Sequence, residues 1–470
     1  MRKKRFLSFI LAFSLLFGNL TIPNYTTKKA AASDSTTNYE GQSTNPHNQE
    51  QDPNWNEVAK KYHVDLGTKT EDGYEWNYGD IGIKYIEKTE TLAFYNGGGC
   101  GTCPQILAPF GSNLNLADKV KHIVFNNIEE GFHGENLFSG YTKLESVKIS
   151  GTLTLRRATN MFSGCKNLIS IDTKNINISK TCDDISGMFY GCNSLADIDI
   201  SNWDTAKIKN FGGMFHGCSS LTDKTGEQIV AMDTTNAIDI HNLLSNTKFS
   251  ARIYEKIKQW DLSHMENISG LFSGTPISSF DLSNSNIQAK NISKLFAGCK
   301  SLTTLNLDNV VSMKTENISE LIRGCSKLTK LSMKNWDSSN VTNMDSVFEG
   351  TTSLDGIDIS SLDMSSVKRA NKMFYQAGAK SITLGCENTW GKMHQAMKMF
   401  ADCDNLRSLS FHNADLSSIK SEFDNTHTDA TDNTLIGNSC KINGFISNCD
   451  NLTSITIDGM KIGGDCMIDT

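Results

Sequence analysis

Apolar positions recur along this chain at one long, regular interval. Sliding the sequence against itself returns a single motif: an apolar residue, an aromatic, any residue, Gly, then Cys or Thr, two polar residues and Leu. It reads Met161-Phe162-Ser163-Gly164-Cys165 with Leu168, then Met188-Phe189-Tyr190-Gly191-Cys192 with Leu195. The aromatic position returns at Phe215, Phe272, Phe296, Ile322, Phe348, Phe374 and Phe400, with weaker copies at Phe138, Leu244 and Ile446. A period of about 26 residues held this long is the signature of a solenoid, in which one unit cannot bury its apolar edge alone but stacked units can.

Each repeat predicts the same elements. After the Leu comes a strand pattern, as in Leu195-Ala-Asp-Ile198-Asp-Ile200, Leu302-Thr-Thr-Leu305-Asn-Leu307 and Leu354-Asp-Gly-Ile357-Asp-Ile359. Its period-2 ending places one face inside and the other in solvent. A turn follows, with Asn at 175, 202, 284, 309, 335 and 413, able to hydrogen-bond neighbouring turns. Trp203, Trp260 and Trp336 come next, each followed by Asp. Asp184, Asn210, Asp239, Asn267, Asn291, Asn317 and Asn343 precede the aromatic anchors and suit the N-cap of a short helical turn that ends at Gly. The predicted fold is an α/β repeat solenoid of leucine-rich-repeat type: a parallel β-sheet with short helical turns. About twelve coils at ~4.8 Å per strand give an array on the order of 55–60 Å long.

The regions outside the repeat divide the chain. Arg2, Lys3, Lys4 and Arg5, the apolar run Phe6 to Leu20 and Ala30-Ala31-Ala32 have the layout of a secretory signal peptide over 1–32. The run is shorter than the ~20 residues a spanning helix needs, and no later segment is long and apolar enough. Residues 33–55 are polar with almost no aliphatic side chains and read as a disordered leader. Residues 56–134 form a β-rich N-terminal cap region, 135–460 the solenoid, and 461–470 a tail. Two stretches depart from the period: near 222–256 two coils lengthen slightly, and near 412–444 a Ser/Thr/Asp/Asn-rich insertion appears.

Composition then narrows the function. The chain has 470 residues, 21% charged, with 6 Pro and a formal charge of −7. Cleavage after Ala32 removes Arg2, Lys3, Lys4, Arg5, Lys28 and Lys29 and no acid, so the mature chain is more acidic still. That balance argues against a nucleic-acid partner, which normally calls for a basic patch.

With the repeat text in view, a family resemblance emerges. NWDTAKIKNFGGMFHGCSSL (202–221) and NWDSSNVTNMDSVFEGTTSL (335–354) resemble the BspA-like leucine-rich-repeat surface proteins of host-associated bacteria. The likeness covers roughly 135–460, and the segment from Trp76 to Phe125 looks like the β-rich cap that often precedes such arrays. The resemblance implies a secreted or cell-surface protein that adheres to host extracellular matrix or to other cells. It implies no catalytic residue.

Candidate chemistry is sparse, and no enzyme activity is expected. Cys165, Cys192, Cys218, Cys299, Cys325, Cys403 and Cys449 share one column with Thr275 and Thr351, which marks a small, half-buried packing site of free thiols rather than a zinc pattern. Stacked side chains in that column point the same way, a poor geometry for bridges. Cys100-Gly101-Thr102-Cys103 superficially resembles a thiol-redox motif, but three glycines precede it and no room remains for a redox domain; a local Cys100–Cys103 disulfide or plain loop cysteines are the alternatives. His412 and His427 near Asp424 and Asp429 show no metal-ligand spacing, so neither a metal nor a cofactor is expected.

Binding candidates lie on the outward strand positions, where a solenoid usually binds. In register these give Lys148, Asp172, Asp197, Asp199, Asp281, Asn306, Ser332, Asp358 and Ser410. Close carboxylates there favour a basic partner or a cation. Aromatic hot-spot residues are missing from this face. The freely varying position after the aromatic (Tyr190, His216, Arg323, Glu349, Tyr375) supplies a second candidate surface. The expected partners are host or bacterial surface proteins or glycans, with self-association of a structural envelope protein as the alternative.

Overall fold

Every repeat becomes one coil of a parallel β-solenoid of about 11 turns. The computed structural model describes residues 68–78, 81–95, 116–126, 128, 131–385, 393, 395–412, 415–416, 446–458 and 461–462. All of them belong to one compact unit, Ala59–Thr470. The signal peptide, the leader, Cys100, Cys103 and nearly all of the 412–444 insertion lie outside the described residues.

In chain order the strands are β1 (Thr68–Thr70), β2 (Gly73–Tyr78), β3 (Ile81–Ile86), β4 (Thr91–Tyr95), β5 (His122–Asn126), β6 (Phe132–His133), β7 (Ser146–Ser150), β8 (Leu153–Arg157), β9 (Ser170–Ile171) and β10 (Ile176–Ile178). Helices α1 (Asp223–Val230) and α2 (Ala251–Ile257) follow, and then β11 (Ser279–Asp281), β12 (Thr304–Asn306), β13 (Lys330–Ser332), β14 (Gly356–Asp358), β15 (Ser381–Gly385), β16 (Ser408–His412), β17 (Asp415–Leu416), β18 (Ser454–Asp458) and β19 (Lys461–Ile462).

The β-rich cap and the first coils share one sheet, ordered β1-β2-β3-β4-β5-β7-β9. Strands β1 to β4 pair antiparallel. From β4 the pairing turns parallel, with Thr91 opposite His122 and then His122 opposite Ser146. The hairpins thus cover the edge of a parallel ladder that would otherwise template pairing with another chain.

The core is a set of stacked columns. Phe138, Phe162, Phe189 and Phe215 stack at 5.5, 5.9 and 6.0 Å. Phe348, Phe374 and Phe400 stack at 5.1 Å in both steps. All of these rings are fully buried, so each is worth several kcal/mol of transfer and packing. Trp203 and Trp336 are buried as well, and the Trp203 indole N–H donates to Thr173 O at 3.1 Å on the preceding coil.

The turn that carries the anchor is not helical, which corrects the short helical turns expected there. Two left-handed residues recur four apart in each coil, as at Asn160 and Gly164 or Glu320 and Gly324. A left-handed residue inside so short a segment breaks any α-helix. Backbone groups bond between coils instead. Phe162 N donates to Met188 O at 2.9 Å and Gly164 N to Tyr190 O at 2.6 Å, while Cys165 N turns back to Phe162 O at 3.1 Å. The Asn/Asp column forms parallel bridges from Asp184 through Asn343 to Arg369 and Gln395. Its side chains accept from the amide two residues on, as Asn210 Oδ1 does from Gly212 N at 2.9 Å. They cap a turn and bridge the coils rather than starting a helix.

The real helices sit in the 222–256 stretch, where only lengthened coils were expected. They replace strands in two successive coils. Thr222 caps α1 by accepting from Lys224 N, and Asp223 accepts from Ser250 N at 2.8 Å at the start of α2. Ile253, Tyr254 and Ile257 bury one face of α2, and a Cβ on Gly226 would meet Ile253 Cγ1 at 3.0 Å, so a glycine lets the helices approach.

Candidate functional site

The outward strand face is a row of side chains whose register is set by the buried alternate positions. Val147, Phe280, Leu305, Ile357, Ile382 and Leu409 point inward and are buried. Lys148, Asp197, Asp199, Asp281 and Asp358 are exposed; Asp172, Asn306, Ser332 and Ser410 are half-exposed. Asp281, Asn306 and Ser332 lie directly opposite one another on β11, β12 and β13. Asp358 and Ser410 sit two strands apart with Thr383 of β15 between them. Ser381 and Thr383 were missed from sequence, although Ser-Ile-Thr-Leu alternates as cleanly as its neighbours.

The row is interrupted, however. Lys148 belongs to the sheet that ends at β9, while Asp281 begins a separate three-stranded sheet. Asp197 and Asp199 lie between, on a coil bordered by α1. There the helix supplies the acceptors a next strand would have given: Ile198 N donates to Thr225 Oγ1 at 3.1 Å and Ile200 N to Gln228 Oε1 at 2.7 Å.

Most of the carboxylates also have local partners. Asp281 and Asp358 each accept from the amide two residues on, Ser283 N and Ser360 N, both at 2.9 Å. Asn306 makes the same bond to Asp308 N at 3.0 Å. Asp172 accepts from Ile149 N at 3.1 Å on the neighbouring coil. The Ser201 hydroxyl, donating to Asp199 at 2.6 Å, and its amide hold that carboxyl below the usual range. Asp199, Asp281 and Asp358 thus each finish a turn with one oxygen, whereas Asp172 ties two coils together and Asp197 accepts from the Thr222 hydroxyl.

The second candidate surface is less open than its variability suggested. Tyr190 is exposed, but His216 stacks on it at 4.3 Å and 6°. Arg323 reaches Glu349 at 3.1 Å and Glu320 at 3.0 Å. Burial pushes the His216 imidazole down to about 4, with His241 adding to the shift. A shallow groove of about 380 Å³, not anticipated from sequence, crosses coils beside this face and gathers Lys290, Lys314 and Lys368 around Met313 and Glu316.

The cysteine column is buried rather than half-buried, completely so from Cys165 to Cys403, and its described thiols are free. Each Sγ donates to the carbonyl of the anchor one coil back: Cys165 to Phe138 O at 3.2 Å, Cys218 to Phe189 O at 3.0 Å, Cys325 to Phe296 O at 3.1 Å. Where Thr stands instead, the hydroxyl turns to its own coil, as Thr275 does to Phe272 O at 2.7 Å. Among the described residues, no three His, Cys, Asp or Glu side chains cluster to hold a metal ion.

A family model described as "Mycoplasma protein of unknown function, DUF285" matches residues 156–285 and 290–413, more than half of the chain. The chain belongs to this family. The two DUF285 segments cover the coils from β8 to β16, including the helical interruption. Solved leucine-rich repeat proteins are also similar to it. One from Bacteroides ovatus is 14% identical over 71% of this chain and 94% of its own, with a TM-score of 0.23. One from Eubacterium ventriosum is 12% identical over 75% and 97%, with a TM-score of 0.29. A chain of the Drosophila Toll–Spätzle complex is 14% identical over 85% and 60%, at 0.22. The fold rests on the coil register of the DUF285 chain itself rather than on those superpositions. No curated protein matches its sequence significantly.

Proposed function

We propose that this chain is a non-enzymatic binding scaffold displayed outside a bacterial cell, where it adheres to host extracellular-matrix proteins, to glycans or to other cells. The observation that carries the reading is the strand face: outward positions are polar, solvent-facing and locked in register, while their inward neighbours are buried. A preformed surface of that kind binds without an ordering cost. The signal-peptide layout of 1–32 and the BspA-like repeat text support the extracellular setting. Among the described residues no helix is long and apolar enough to cross a membrane.

The test is solid-phase binding of the chain to a panel of matrix proteins and glycans at low and high salt. Asp199→Asn, Asp281→Asn and Asp358→Asn remove charge but keep the capping oxygen, as Asn306 already does. Binding that weakens with salt and drops at least tenfold in the triple variant supports the acidic strand face. Binding to nothing at either salt defeats the adhesive reading.

A second reading, self-association, has one observation behind it. Ile446, Leu452 and Ile455 in the last described coil are only partly buried, whereas Leu406 and Leu409 one coil earlier are 0% exposed. Sedimentation across a concentration series decides it: a constant monomeric value removes it.

A further inference from the structure

We propose that the groove through Lys290, Lys314 and Lys368 binds an anionic polysaccharide, at a cationic site separate from the acidic strand face. Lys290, Glu316, Thr342 and Lys368 form one column on successive coils, one residue ahead of the bridge column of Asn291, Asn317, Asn343 and Arg369. Three coil steps of about 4.8 Å place Lys290 and Lys368 on the order of 14 Å apart along it. Lys314 and Glu316 are both exposed on the second of these coils, with Thr315 buried between them.

Three observations point to the partner. First, the positive charge is uncommitted. Among the described residues, none of the three ammonium groups has a carboxylate at ion-pair distance, whereas Lys294, Arg323 and Arg369 on the adjoining turn face pair with Glu320, Glu349 and Asp345. Glu316 is the one acid among the described residues that line the groove. Asp337 and Asp363 in the turns before it are half-buried and accept from the amides of Ser339 and Ser365. A net positive groove on a chain of charge −7 draws an anion to that place.

Second, the backbone of the groove is already bonded from coil to coil. Glu316 N donates to Lys290 O at 2.9 Å, Thr342 N to Glu316 O at 2.8 Å and Lys368 N to Thr342 O at 2.8 Å. An acidic peptide that docks as an added strand needs open backbone groups, so recognition here falls to side chains.

Third, the side chains between the lysines suit a sugar. Asn340 Nδ2 donates to Met313 O at 2.7 Å and Thr342 Oγ1 to Glu316 O at 3.2 Å, which leaves their oxygens able to accept from sugar hydroxyls. Met313 is 62% exposed and offers an apolar surface to the C–H groups of a ring. None of the described lining residues is aromatic, so the bases of a single-stranded nucleic acid find no stacking platform.

Heparin, hyaluronan and poly-glutamate, titrated calorimetrically into the full chain across a salt series, are the probes. Heparin or hyaluronan should bind, more weakly as salt rises, and the one that binds more tightly identifies the anionic group as sulfate or carboxylate. Lys290→Gln, Lys314→Gln and Lys368→Gln together should weaken binding by about tenfold or more. Lys166→Gln, Lys300→Gln and Lys327→Gln make the same charge change at exposed positions outside the groove and should leave affinity within about twofold. Glu316→Gln should tighten binding roughly twofold by removing an exposed like charge. All seven side chains are exposed, so the melting temperature should not move. The proposal is overturned if neither polysaccharide binds, if poly-glutamate binds as tightly, if the two lysine sets weaken binding equally, or if Glu316→Gln weakens it. None of these outcomes bears on the strand-face reading, because no substituted residue is a strand-face position.

Discussion

The turn face and the strand face of the same coils follow different rules. The turn-face bridges run from Asp184 to Gln395 without a break, even across the coils that carry α1 and α2. The strand face is divided into separate sheets, once at those helices and again between β13 and β14, where no helix intervenes. The difference lies in what each face asks of its residues. A turn with two left-handed positions four apart bonds coil to coil through its backbone, which holds that spacing even where Lys294, Glu320, Ser346 or Lys372 stands in place of Gly or Asn. A strand segment needs only an apolar residue at alternate positions, and a capped helix with an apolar stripe can stand in for it. The strand face is therefore where this repeat can vary its chemistry while the turns keep the pitch.

That contrast is best broken at the anchor. Phe374→Ala, in the middle of a three-ring stack, is expected to cost about 3–5 kcal/mol in urea denaturation, as large buried aromatics do. Ser410→Ala on the opposite face should change stability by less than about 0.5 kcal/mol. A loss of under about 1 kcal/mol at Phe374 would show that the stack is not the organising column.

The backbone rule can be sharpened at Gly324, whose φ is 70° and where a Cβ would sit 3.9 Å from the Gly298 Cα. Space is available, so the cost of Gly324→Ala should be conformational, roughly 1–2 kcal/mol. Gly324→Asn should cost less, because Asn246 holds the equivalent place at φ 59°. Equal costs would point to sterics instead.

A smaller effect is expected from His216, and it depends on pH. Its folded value, about 4, lies below the ordinary histidine value, so the unfolded chain binds a proton first as pH falls. Stability from this group is present above about pH 6.5 and is lost as pH drops toward 4. The loss is on the order of 1 kcal/mol, because water screens the half-buried ring. His216→Gln should flatten the melting temperature between those limits. An unchanged slope would place the acid sensitivity elsewhere.

The smallest expected change is the stability of the Asp281→Asn and Asp358→Asn variants, within about 0.5 kcal/mol of the parent, since the cap survives. A larger loss would make those acids structural rather than available to a ligand.

The columns were legible in the sequence because burial repeats them: Phe anchor, Gly, Cys or Thr, Leu and the alternating strand each recur where the structure has them. The turn was misread because Asn, Asp and Gly are shared by helix caps and by left-handed turns. Only the spacing of Asn160 to Gly164, or Asn242 to Asn246, separates the two. The helices were missed because a fixed period makes 222–256 look like nothing more than extra length. Thr222-Asp223 as a cap and Phe249, Ile253, Tyr254 and Ile257 on one stripe were the available signals. The partners of the outward acids could not be read at all, since a carboxylate that caps a turn and one that waits for a ligand have the same letter.

The thiol and hydroxyl seats of the column have a mechanical consequence. A cysteine fastens its coil to the one before, whereas the Thr247 and Thr275 hydroxyls turn to their own coils, through Leu244 O at 2.6 Å and Phe272 O at 2.7 Å, and Thr275 reaches only forward, to Cys299 Sγ at 3.5 Å. At the same place the ring stack lapses into Leu244 and strands give way to helices. The thiol tie and the ring stack thus lapse together between the coils of Phe215 and Phe272, so a load carried along the array rests there on the backbone bridges and on the ion pairs of Arg252 and Lys256 with Glu227.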